Sequence, residues 1–172
     1  MKTINLAPPQ IITLNDYPVH SDSVLSEYFS KCKLGEEVPF VPVIRKDIVR
    51  KHFDDKLLEE FERFEHQNPV AEYFMLDGSH RTTALTLIGR KIRVVIYQTD
   101  SDIIGAKKLV ATGQILKSGT LEDSHEENCK ELYRHFKEKP YFMTVEQKTE
   151  RMVKEKILPE NVINSYRTLH QV

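Results

Sequence analysis

Phe74-Met75-Leu76-Asp77-Gly78-Ser79-His80-Arg81-Thr82-Thr83-Ala84-Leu85 is the stretch whose reading decides the fold. Tyr73 to Leu76 is an apolar and aromatic run suited to a strand, and Asp77-Gly78 is a turn. Ala84, Leu85 and Ile88 then fall at helical spacing, with Gly89 where a helix C-cap belongs. Beyond Gly89, Ile92, Val94 and Ile96 alternate with Arg93, Val95 and Tyr97, which predicts a second strand with one strongly apolar face. The crossover is long enough for the two strands to pair in parallel, so the segment reads as a βαβ-like unit.

The turn carries the chemistry. A helix opening at Ser79 presents unpaired amides and the positive end of its dipole, and phosphate oxygens can be held there by backbone donors. Gly78 lets a ligand approach the main chain, Ser79 and Thr82 add hydroxyls, Arg81 adds a bidentate fork and His80 another donor, a set suited to a di- or triphosphate. Asp77 fits a magnesium ligand, a base toward a substrate hydroxyl, or an anchor for the loop. The competing reading is structural: Asp-Gly is a common turn, Asp77 or Ser79 is an ordinary N-cap, and His80 and Arg81 could face solvent. Arg81 favours the anion, because a cation in a first turn opposes the helix dipole unless a negative charge offsets it.

Outward from the turn, Ile11 to Leu14 reads as a first strand. Val24, Leu25, Tyr28, Phe29 and Cys32 form a helical stripe with Ser21 or Ser23 as N-cap and Gly35 as stop. Phe40 to Ile44 predicts a strand that Pro42 assigns to a sheet edge or a strand entrance. Asp54 and Asp55 precede a helix carrying Leu57, Leu58, Phe61 and Phe64, closed by Asn68-Pro69. After Asp100 the pattern becomes helical through Ile103, Ile104, Leu109 and Val110, with a break from Gly119 to Glu127. Three more helices follow, around Cys129 to Phe136, from the Thr144/Gln147 capping box, and from Pro159 through Leu169. The expected fold class is α+β: a core over residues 1–118 with helices packed on a mixed sheet, and a helical module over residues 119–172.

The chain has 172 residues and a formal charge of -1. That length suits one compact domain or a core with a small appendage, and the charge argues against a protein that coats nucleic acid with a broad basic surface. Cys32 and Cys129 show no partnered spacing, so neither a disulfide framework nor a zinc site is expected. No window approaches the roughly 18 apolar residues of a membrane helix, so a soluble, cytoplasmic protein with no membrane partner is expected.

Phe74 to Leu85, followed by Ile88-Gly89 and a strand, resembles the signature of the ParB/sulfiredoxin superfamily, and in particular its branch with an Asp-Gly-x-His-Arg turn, which includes ADP- or ATP-dependent free-serine kinases. The resemblance covers about Ile11 to Tyr97. It implies a mixed sheet with packed helices and a nucleotide at the start of the helix from Ser79. Sulfiredoxins carry a catalytic Cys where this chain has Ser79, and the partition proteins a Gly-Glu-Arg-Arg turn that is absent here. The serine kinases place a catalytic Glu after their first strand, whereas this chain reads Asn15-Asp16-Tyr17-Pro18-Val19-His20-Ser21-Asp22, leaving Asp16, His20 or Asp22 as candidate base or substrate-binding groups.

The expected function is nucleotide-dependent phosphoryl transfer, as a small-molecule kinase or nucleotidase. Gly78, Ser79, His80, Arg81 and Thr82 would hold the phosphates, and Asp77 and His80 would serve catalysis. The cofactors expected are ADP or ATP, with CTP a further candidate, and Mg2+; the partner is a small-molecule hydroxyl substrate. The alternatives are a ParB-like DNA-binding regulator, with Thr144 to Leu169 as a helix-turn-helix, and an inactive family member. Against DNA, Lys148, Arg151, Lys154, Lys156 and Arg167 are nearly cancelled by Glu146, Glu150, Glu155 and Glu160, and an oligomer contact suits those helices better. Lys117-Ser118-Gly119-Thr120 has the wrong order for a phosphate loop. The acidic run from Glu122 to Glu127 reads as a solvated face, and His125, His135 and His170 as surface residues.

Overall fold

The computed structural model describes residues 1–170 and is α+β. Five strands form one mixed sheet in the order β1 (Lys2–Leu6), β5 (Ile92–Ile96), β3 (Val41–Arg45), β4 (Tyr73–Met75), β2 (Ile11–Ile12). β1 is antiparallel to β5, β3 is parallel to β5 and antiparallel to β4, and β2 is parallel to β4. The strands flanking the Asp-Gly turn are therefore not neighbours. β3 lies between them, and β4 and β5 run in opposite directions, so the expected parallel βαβ pairing is replaced by a split arrangement.

β3 takes the centre because its residues Val41 to Ile44 are all buried, as a strand covered on both faces requires. Pro42, expected at an edge, is accommodated by its place in the ladder. Leu76 N–H donates to Pro42 O at 2.9 Å. The reciprocal bond that the proline ring forfeits falls at the last rung, where the chain leaves the sheet toward Asp77. The strand expected over Ile11 to Leu14 is only Ile11–Ile12, while β1, which was not anticipated, pairs along Lys2–Leu6 with Ile4 and Leu6 turned inward.

Eight α-helices lie among the described residues: α1 (Asp22–Lys33), α2 (Lys46–Val49), α3 (Asp55–Gln67), α4 (Ser79–Leu87), α5 (Asp100–Val110), α6 (His125–Glu138), α7 (Val145–Lys154) and α8 (Glu160–His170). Ser21 Oγ caps α1, Asp54 caps α3, and Thr144 with Gln147 forms a capping box on α7. Strand residues alternate between two apolar layers. Val41, Val43, Met75, Ile92 and Val94 pack with α1, α4, α7 and α8, while Ile44, Phe74, Val95 and Tyr97 pack with α3, α5 and α6. The second layer is rich in phenylalanine, with Phe136 and Phe142 rings 4.7 Å apart and Phe61 and Phe142 rings 5.2 Å apart.

The segment after residue 119 contributes to both layers, through Leu132, Phe136 and Phe142 to one and through Val145, Met152 and Val162 to the other. It crosses from one face to the other along the β2 edge, where Ile12 bridges Thr144 and Thr13 N–H donates to Met143 O at 3.0 Å. No helix among the described residues is long and apolar enough to cross a membrane.

Candidate functional site

The turn after β4 is built around Gly78, whose φ of 121° lies where side chains are rarely tolerated. A Cβ there would also stand 3.0 Å from Val41 Cγ2 and 3.1 Å from Arg81 Nη2. α4 starts immediately after it with no side-chain cap. Two hydroxyls near this end are used within the helix: Thr82 Oγ1 donates to Gly78 O at 2.9 Å and Thr83 Oγ1 to Ser79 O at 2.8 Å. Thr82, expected to reach a phosphate, thus gives its proton to the backbone.

Ser79 and Arg81 differ. Ser79 is 7% exposed, and its Oγ has no hydrogen-bond partner. Arg81 is buried and folds back over the turn, with Nη2 2.9 Å from Asp77 Oδ2 and 3.4 Å from Phe40 O, while its Nε is buried and unbonded. The Arg81 fork, expected to hold a phosphate, is therefore turned onto Asp77, and Asp77, expected as a magnesium ligand, a base or a loop anchor, is engaged with it in the anchoring contact. A buried donor without a partner costs about 1–3 kcal/mol. Two such donors stand at one helix start that has no side-chain cap.

A second polar group lies beside the first. Lys148, 1% exposed, places Nζ 2.6 Å from Asp16 Oδ1 and 3.5 Å from Thr13 Oγ1. Burial holds its ammonium below the usual lysine range, and Asp16 opposes that shift. His80 Nε2 accepts from Ser21 N–H at 3.3 Å, and His135 Nε2 accepts from Asn15 N–H at 2.7 Å. An imidazole that accepts at Nε2 carries its proton on Nδ1 when neutral, and burial is the first cause pushing both rings below the usual histidine range, with His20 a second cause at His80. The His20 ring meets His80 edge-on at 4.6 Å.

These contacts clamp the loop after β2. Asn15 Nδ2 also donates to Lys139 O, Tyr17 OH donates to Glu155 Oε2 at 2.6 Å, and the Arg151 guanidinium lies 4.1 Å from the Tyr17 ring centroid. α6 and α7 thus set the position of the loop that carries Asp16 and His20.

Of the groups singled out in the sequence, the fold collects Asp16, His20 and His80 with the turn residues Asp77 to Thr82, and leaves Asp22 exposed in the first turn of α1. Sequence reasoning missed Lys148 and His135. Lys148 shares the buried face of α7 with Val145, Thr149 and Met152, and a lysine on an apolar stripe was the available signal. His135, expected on the surface, is half-buried against the loop because Asn15 needs an acceptor there. His125 is likewise half-buried, with Nε2 3.0 Å from Tyr97 O.

A cleft of about 240 Å³ opens alongside, lined by Leu14, Leu76, Gly119, Leu132 and His135 among others. Its wall at Gly119 touches the turn, since a Cβ there would lie 3.7 Å from Asp77 Cβ. Among the described residues no group of three or more His, Cys, Asp or Glu is arranged to hold a metal ion. No family model, no curated protein and no solved structure matches the chain.

Proposed function

We propose that this chain binds the terminal phosphates of a nucleotide at the start of α4 and transfers a phosphoryl group to a small hydroxyl acceptor. The observation that carries the reading is the pair of buried, unpartnered donors, Ser79 Oγ and Arg81 Nε, at a helix start without a cap. The resemblance of Asp77 to Arg81 to the Asp-Gly-x-His-Arg turn of the free-serine kinases points the same way.

The donor set fits phosphate. The α4 amides, Ser79 Oγ and the Arg81 guanidinium are all donors; Gly78, expected to open the main chain to a ligand, is itself buried against Val41 and Arg81. Mg2+ takes one or two carboxylates together with substrate phosphates, and Asp77 is the carboxylate at hand. Bound there, the ion would neutralise charge on the transferring group. In the reaction the acceptor oxygen bonds to the terminal phosphorus as the bridging P–O bond breaks, and the electron pair leaves with the nucleotide. Asp16, bonded to Lys148 through Oδ1, is the group assigned to take the hydroxyl proton. The alternative, a DNA contact through α7 and α8, would have to do without Lys148, whose ammonium is buried against Asp16.

Calorimetric titration with ADP, ATP and CTP, with and without Mg2+, tests the reading. Saturable binding of at least one nucleotide is expected, and no heat from any of them at millimolar concentration would refute it.

A further inference from the structure

The cleft beside the turn has the wrong charge for a phosphate. Its titratable lining is Glu122, Glu131 and His135, with no lysine or arginine, and His135 Nε2 is taken up as acceptor by Asn15 N–H. Its floor is apolar, made by Leu14, Leu76 and Leu132, and Leu121 stands 68% exposed at its mouth. Asn128, 7% exposed, lines it with one amide hydrogen tied to Ser124 O at 2.9 Å, so its carbonyl oxygen and its second amide hydrogen are left to offer a ligand. Residues 128, 131, 132 and 135 form one face of α6, so a single rigid helix presents the acceptor, the carboxylate and the apolar wall together.

The cleft is also placed between the two halves of the site. Leu76 immediately precedes Asp77, Leu14 lies two residues before Asp16, and Gly119 packs against Asp77 and Pro42. A molecule seated on the leucines would lie next to Asp77, through Leu76 and Gly119, and next to the loop of Asp16, through Leu14 and His135.

We infer that this cleft is the acceptor's seat, and that the acceptor is a small amino alcohol with an apolar body, its ammonium directed to Glu122 and Glu131. The role as acceptor seat rests on the phosphoryl-transfer reading above; the ligand class rests on the lining alone. A carboxylate or a sugar phosphate would meet two like charges and no counter-ion. Glu131 shares its charge with Arg134, an exposed partner, whereas Glu122 has no ion-pair partner among the described residues.

The test uses a matched pair of probes on the full chain: 2-amino-1-phenylethanol, and mandelate, which keeps the ring and hydroxyl but exchanges the aminomethyl group for a carboxylate. Titrations followed by amide chemical shifts should show saturable binding of the amine, with shifts at Leu14, Gly119 and Leu132, and none of mandelate. Glu122→Gln with Glu131→Gln should weaken the amine about tenfold and leave nucleotide affinity unchanged. Equal binding of the two probes, or no saturation by the amine, would overturn the inference. The outcomes separate: nucleotide binding without amine binding sinks the cleft assignment alone, and amine binding without nucleotide binding sinks the transfer reading while keeping the ligand class.

Discussion

Lys148 Nζ sits 2.6 Å from Asp16 Oδ1 in an asymmetric pair, the lysine side chain 2% exposed and the aspartate side chain 32% exposed. The asymmetry decides what each loss costs. Asp16→Asn leaves an ammonium buried without its counter-charge and should destabilise by about 3 kcal/mol. Lys148→Met leaves a carboxylate that water can reach and should cost about 1 kcal/mol. Urea denaturation measures both, and a larger loss for Lys148→Met would mean that the lysine's packing, not its charge, is what matters.

Gly78→Ala should destabilise by several kcal/mol, since the φ of 121° and the Val41 contact at 3.0 Å act together. Expression with wild-type stability would show that the turn can relax, and would remove the argument that its backbone is fixed for a ligand.

His80 and His135 both have folded-state pKa values held below the ordinary 6.5, chiefly by burial. Below about pH 6.5 the unfolded chain therefore binds more protons than the folded one. Their contribution to stability is full above that pH and is lost as pH falls toward the depressed values, by at most about 1.4 kcal/mol per pH unit for each proton. The urea midpoint should drop between pH 7 and pH 5.5. His80→Gln with His135→Gln, which retains acceptors for Ser21 and Asn15, should flatten that drop. A wild-type midpoint independent of pH over this range would contradict the tautomers assigned here.

Much of the local architecture was legible in the sequence. α1, α3 and α7 were marked by caps and periodicity, and the β4 turn, α4 and β5 by the apolar pattern around Asp77-Gly78. What escaped was long-range. Nothing in the spacing of β4 and β5 reveals that β3 inserts between them, because strand order depends on which strands need two covered faces, and Pro42 argued against β3 on grounds that the ladder geometry removes. β1 carried a period-two pattern, Ile4 and Leu6 alternating with Thr3 and Asn5, too short to stand out without its partner β5. At the site, the turn was readable because its chemistry is contiguous. The Asp16–Lys148 pair joins residues 132 apart in sequence, so Lys148 read as one of several surface bases, although its place on the Val145–Met152 face distinguished it.

If nucleotide phosphates bind at the start of α4, Ser79 Oγ and Arg81 Nε are the donors that meet them. Arg81→Ala would confound the issue, because it also strips Asp77 of its partner. Ser79→Ala is the clean probe, since the hydroxyl makes no bond within the protein. The decisive measurement is paired calorimetry and thermal unfolding of wild type and Ser79→Ala with ADP and ATP. The predicted result is an unchanged or slightly raised melting temperature without ligand, and nucleotide affinity reduced about tenfold or more. Unaltered affinity, or an apo protein that loses stability as though a native bond had been cut, would contradict it.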